Sequence, residues 1–74
     1  METKDIIKEM RLELNLTQEE LAKEINFSTS IINKWENGKK LPSYDAIKIL
    51  AMYFNISTDY LLCMDDFKKI NTKR

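Results

Sequence analysis

The chain has no histidine, one cysteine, one glycine and one proline in 74 residues. Each shortage removes a class of function. A single cysteine cannot build a disulfide framework, and without histidine no Cys/His zinc site forms. Neither a Ser-His-Asp triad nor a Cys-His pair is available. One glycine rules out a Gly-rich phosphate loop. No apolar run is long enough to span a membrane. The N-terminus METKDIIKEM is charged where a signal peptide would carry an apolar core. These absences predict a cytoplasmic protein with a reduced Cys63, no enzymatic activity, no metal, no cofactor and no evident small-molecule effector. An excess of charge is also missing: twelve Lys and Arg balance twelve Asp and Glu. Nucleic-acid binders usually carry a basic excess, so the total charge argues weakly against one, and only its distribution can answer.

What the chain does have is helical periodicity, and no segment alternates with the period of a strand. Its length suits one small domain with a marginal core, which favours association of two copies. Ile6, Ile7, Met10 and Leu14 share one helical face and predict a first helix over 4–14. Asn15 and Leu16 break it. Thr17 and Glu20 form a capping box that opens a second helix, with Leu21, Ala22 and Ile25 inward. Asn26 closes it, asparagine being the non-glycine residue most tolerant of a left-handed corner. Ser28 caps a third helix that stops at Asn37-Gly38. Ser43 caps a fourth, made amphipathic by Tyr44, Ile47, Leu50, Ala51 and Phe54. Ser57 caps a fifth, running through Leu62.

The third helix is two-sided. With about 100° of rotation per residue, Ile32 and Trp35 fall on one side. Thr29, Ser30, Asn33, Lys34 and Asn37 fall on the other. Burial must take Ile32 and Trp35, each worth a few kcal/mol, so the polar arc faces outward. Such residues suit DNA: Asn pairs with the N6/N7 edge of adenine, Thr and Ser bond either donors or acceptors, and Lys reaches guanine or phosphate. The competing reading of the same arc is an ordinary solvated helix face. Ile31, on the flank, extends the core or touches a thymine methyl.

The order TQEELA, turn, IINKWENG, then K-L-P-S and a distal ISTDYLL resembles the lambda-type repressors, the Xre-type helix-turn-helix regulators. The resemblance spans roughly residues 4–63. It implies an all-α, compact five-helix, lambda-repressor-like domain with its helix-turn-helix at helices two and three. It implies double-stranded DNA as partner and a homodimer bound to a palindromic operator, as a transcriptional repressor. Carried over by position, Thr29, Ser30, Asn33 and Lys34 read bases. Gln18, Asn37, Lys39 and Lys40 hold phosphates, and Arg11 and Glu36 form a buried structural ion pair. Two positions depart from the pattern: Asn26 stands where a turn glycine is usual, and Ile31 where a small polar residue is common.

Lys34, Lys39 and Lys40 cluster on this face, which answers the objection from net charge. Beyond the resemblance, Tyr60, Leu61, Met64, Phe67 and Ile70 continue an apolar stripe. They predict a dimer interface of Tyr60, Leu61, Met64 and Phe67 on a fifth helix that runs past Cys63. The domain then covers 1–66, and 67–74 is either an extension of that helix or a frayed tail. A second functional class stays open: an antitoxin-type protein-interaction module that also binds DNA. The chain also suits the DNA-binding part of a longer regulator.

Overall fold

A computed structural model of the chain describes residues 1–64. It contains five helices: α1 (Thr3–Glu13), α2 (Gln18–Ile25), α3 (Thr29–Glu36), α4 (Tyr44–Phe54) and α5 (Thr58–Leu61). No strand runs among the described residues. The starts follow from local chemistry. Thr17 Oγ1 accepts from the Glu20 N–H at 3.0 Å, and the Glu20 carboxylate accepts from the Thr17 N–H at 2.8 Å. Ser28, Ser43 and Ser57 each accept the N–H three residues on, at 3.1, 3.2 and 2.9 Å. Each cap satisfies a donor that the first helical turn leaves unpaired.

The five ends share one device. After each helix a residue adopts the left-handed conformation: Asn15, Asn26, Gly38, Asn55 and Cys63, with φ of 58, 67, 73, 58 and 65°. The next residue's N–H then reaches back across the last turn. Leu16 bonds the Arg11 carbonyl, Phe27 that of Ala22, Lys39 that of Lys34, Ile56 that of Ala51 and Met64 that of Asp59. This is the Schellman termination, which satisfies carbonyls the helix leaves open. It is usually built on glycine, but this chain has one and uses asparagine three times. Replacing Asn26 tests the device. Asn26→Gly should be neutral or stabilising by up to about 1 kcal/mol, and Asn26→Val should cost about 1–2 kcal/mol, read from urea midpoints. A valine variant of unchanged stability would show that the corner is not held left-handed.

The same device corrects the expectation at the C-terminus. Helix five does not run past Cys63: it ends at Leu61, and the left-handed Cys63 turns the chain away. Leu61 is completely buried, and its carbonyl accepts from Thr3 Oγ1 at 2.9 Å. It therefore closes α5 onto the start of α1 and offers no surface to a second copy. Phe67 and Ile70 lie outside the described residues.

The core lies between α1, α2, α4 and α5, with α3 packed onto α1 and α2. Ile7, Leu21, Ile32, Leu50 and Leu61 have no exposed surface. Two residues expected on inner faces are not there. Leu14 is half exposed and is the C-cap residue of α1, past its last helical position. Tyr44 is 76% exposed, its ring lying under the Lys48 ammonium at 5.2 Å, so the inner face of α4 begins at Ala46. No helix among the described residues is long and apolar enough to cross a membrane.

Candidate nucleic-acid interface

α3 is anchored from behind. Ile32 is fully buried and Trp35 is nearly so. Phe27, in the turn between α2 and α3, meets the Trp35 ring edge-on at a centroid distance of 5.2 Å. That contact joins the turn to the inner side of α3. Ile31 is partly buried against the core, as a flank residue of this helix.

A second anchor is ionic. Arg11 Nε donates to Glu36 Oε2 at 2.7 Å, and Nη2 donates to Oε1 at 2.9 Å. Arg11 Nη1 also donates to the Leu16 carbonyl at 2.7 Å. One guanidinium thus ties α1, the following corner and α3. Both side chains are buried, with relative exposures of 9% and 3%. Hydrogen bonding to Glu36 raises the Arg11 pKa above its ordinary value, against the opposing effect of burial. The two-point fork is the geometry that suits guanidinium and carboxylate best.

From this pair a row of amides runs outward. Gln18 Nε2 donates to Glu36 Oε1 at 3.1 Å. Asn33 Nδ2 donates to Gln18 Oε1 at 3.3 Å, and Asn37 Nδ2 donates to Asn33 Oδ1 at 3.0 Å. The row therefore begins at a buried carboxylate and ends on the exposed side of α3. Gln18 is half-buried within it, at the first position of α2.

The outward face of α3 holds Thr29, Ser30, Asn33 and Lys34, all exposed. Asn37, Lys39 and Lys40 are exposed in the turn that follows. The residues expected to read bases therefore share the outward arc of α3, Asn37 and Gln18 join them through Asn33, and Lys39 and Lys40 are exposed just after the helix. Of those expected to pair two copies, the three described residues differ in exposure, and Leu61 is withdrawn into the core. Tyr60 is partly buried against the core, Leu61 is buried and Met64 is 75% exposed.

Reasoning from sequence missed three contacts here. Asn33 and Asn37 stand four apart on a helix, a spacing at which polar side chains meet, so that bond was accessible. An apolar Phe27 after the left-handed end of α2 was also signalled, though not its partner Trp35 in the next helix. The Gln18–Glu36 bond had no signal, because it joins residues 18 apart in sequence.

The matches to known proteins agree with this geometry. A helix-turn-helix family model covers residues 7–61. The HTH-type transcriptional activator BcrR of Enterococcus faecalis is 37% identical over 62 residues, 84% of this chain and 30% of that protein. The HTH-type transcriptional regulator ImmR of Bacillus subtilis is 34% identical over 65 residues, 88% of this chain and 51% of that protein. The chain thus spans about a third and about half of the length of these two curated relatives. Among solved structures, the P22 c2 repressor in complex with synthetic operator 9T superposes with a TM-score of 0.81 at 28% identity. That match covers 88% of this chain and 98% of the repressor chain. By the family match and this fold, the chain belongs to the Xre-like, lambda-repressor-like helix-turn-helix DNA-binding family.

Proposed function

We propose that this chain is a sequence-specific DNA-binding transcriptional regulator that lays α3 in the major groove. The observation that carries this reading is the sidedness of α3. Its apolar residues and Glu36 are spent on the core, while Thr29, Ser30, Asn33 and Lys34 are exposed together. Those four contact base edges. Gln18, Asn37, Lys39 and Lys40 contact phosphates, with the positive N-terminal end of α2 assisting at Gln18. The P22 c2 repressor, known in complex with an operator, has the same fold.

Two copies bind a palindromic operator, their reading helices about 34–36 Å apart, one turn of DNA. A neutral chain binds nonspecific DNA weakly, so pairing and base contacts must supply the affinity. The role is repression when the operator overlaps a promoter. The same docking activates when the operator lies upstream, the sign that BcrR's name carries. A regulator of this kind works in the cytoplasm.

Selection of bound duplexes from a random DNA pool tests the proposal. A palindromic consensus is expected; absence of any enriched sequence would refute specific recognition, and a lone half-site would refute the dimer. On that consensus Asn33→Ala should cost about 1–3 kcal/mol and relax preference at one base pair. Equal weakening on all sequences would remove Asn33 from the base contacts. Lys40→Ala should lower the slope of log affinity against log salt by about one. An unchanged slope would remove Lys40 from the phosphate contacts.

A further inference from the structure

We infer that Glu36, which touches no DNA, sets which way round the Asn33 amide is presented to a base. The inference rests on the base contact proposed for Asn33. An ionised carboxylate can only accept hydrogen bonds. Oε1 of Glu36 already accepts from Arg11 at 2.9 Å, and its bond to Gln18 at 3.1 Å requires the Gln18 NH2 to point inward. The Gln18 carbonyl oxygen then points outward and can only accept. Asn33 must therefore turn its NH2 toward Gln18, at 3.3 Å, and its oxygen toward Asn37. Asn37 completes the order by donating at 3.0 Å. Each amide has two possible orientations in isolation. In this row all three follow from one group that cannot donate.

The consequence is a defined face for DNA. An asparagine amide has two N–H donors and two acceptor sites on its oxygen. Gln18 engages one donor and Asn37 one acceptor site, leaving one of each. That remaining pair matches adenine, which offers N7 as acceptor and N6–H as donor. An Asn33 released from the row can turn over and meet other bases, so its discrimination falls. Glu36 and Gln18 are thus positioning residues, and the buried ion pair has a second role beyond stability.

Gln18→Met tests this. It keeps the length of the side chain, removes both of its bonding groups and leaves Arg11 bonded to Glu36. Binding is read by selection from the random duplex pool and by titration of single-base variants of the consensus. The expected result is relaxed preference at the base pair that Asn33→Ala relaxes, by about fivefold or more, with preferences elsewhere retained. A uniform loss at all sequences, with full preference kept at that base pair, would mean Gln18 only holds a phosphate and would overturn the inference. If Asn33→Ala itself relaxes no position, the base contact fails, and the inference falls with it by a different result. In the free protein, NMR of the Asn33 side-chain amide gives a second readout. Gln18→Met should shift that resonance and lower the unfolding midpoint by less than Arg11→Met does, because the guanidinium bonds to Glu36 remain. An unmoved resonance would show that the row does not hold Asn33. Glu36→Gln should also relax the same base pair, because an amide in that place can donate as well as accept. Since it weakens the buried pair too, Gln18→Met carries the test by itself.

Discussion

Replacing Arg11 by methionine is expected to cost about 3–5 kcal/mol of stability, the range for removing one partner of a buried ion pair. The cost comes from what remains. Glu36 keeps a side-chain exposure of only 3% but loses both of its guanidinium bonds, at 2.7 and 2.9 Å. Gln18 alone cannot replace them. The Leu16 carbonyl loses its donor as well. Small domains of this length have a total stability of about 4–11 kcal/mol, so the variant should sit close to its unfolding threshold. Urea denaturation should show a much lower midpoint with little change in slope. The double variant Arg11→Met, Glu36→Leu should recover most of the loss, because an apolar pair of similar volume needs no compensation. A single variant within about 1 kcal/mol of the parent would show that the pair contributes no more than a surface salt bridge.

Trp35→Ala is expected to cost a similar amount, about 3–5 kcal/mol, for a different reason. Trp35 is 3% exposed and is the chain's single tryptophan. Its removal leaves a cavity where α3 meets the core and strips Phe27 of its edge-on partner. In a domain this small, that loss should lower the melting temperature by more than about 10 °C, measured by far-ultraviolet circular dichroism. Trp35→Phe fills part of the space and should lose less than half as much. If the alanine variant melted within a few degrees of the parent, Trp35 would not be what seats α3. The two variants attack the same helix from its two anchors, one ionic and one apolar. Both should weaken DNA binding only through the folded population and the seating of α3, since neither residue lies on its outward face.

The parts of the molecule legible from sequence are those decided by neighbours in the chain. Thr17, Ser28, Ser43 and Ser57 declare helix starts because a cap and its acceptor target lie three residues apart. Asn26 and Gly38 declare ends because few residue types tolerate a left-handed backbone. Cys63 is not of such a type, so the sequence predicts a fifth helix that runs on. Its turn follows from the Schellman bonds of Cys63 and Met64 to the Tyr60 and Asp59 carbonyls. Leu61 shows the same limit in packing. Periodicity placed it on an apolar stripe, but whether that stripe meets α1 or a second molecule depends on where α1 lies.

The polar face of α3 separates these two kinds of information further. Rotation about one helix axis was enough to divide Ile32 and Trp35 from Thr29, Ser30, Asn33 and Lys34, and the structure leaves that division intact. Resemblance to the lambda-type repressors assigned Gln18 and Glu36 separate roles, one toward phosphate and one toward Arg11. In the fold they share a hydrogen bond.

By itself, then, the sequence determined the helices, their caps, the two-sided third helix and the family, because each is written in spacings shorter than a few turns or in an ordered motif. Only the tertiary structure decided which apolar stripes are core, where the last helix stops, and that a buried carboxylate heads a row of amides reaching the surface. Those outcomes depend on contacts between residues far apart in the chain, and hydrogen-bond direction is settled only when every member of a row is in place.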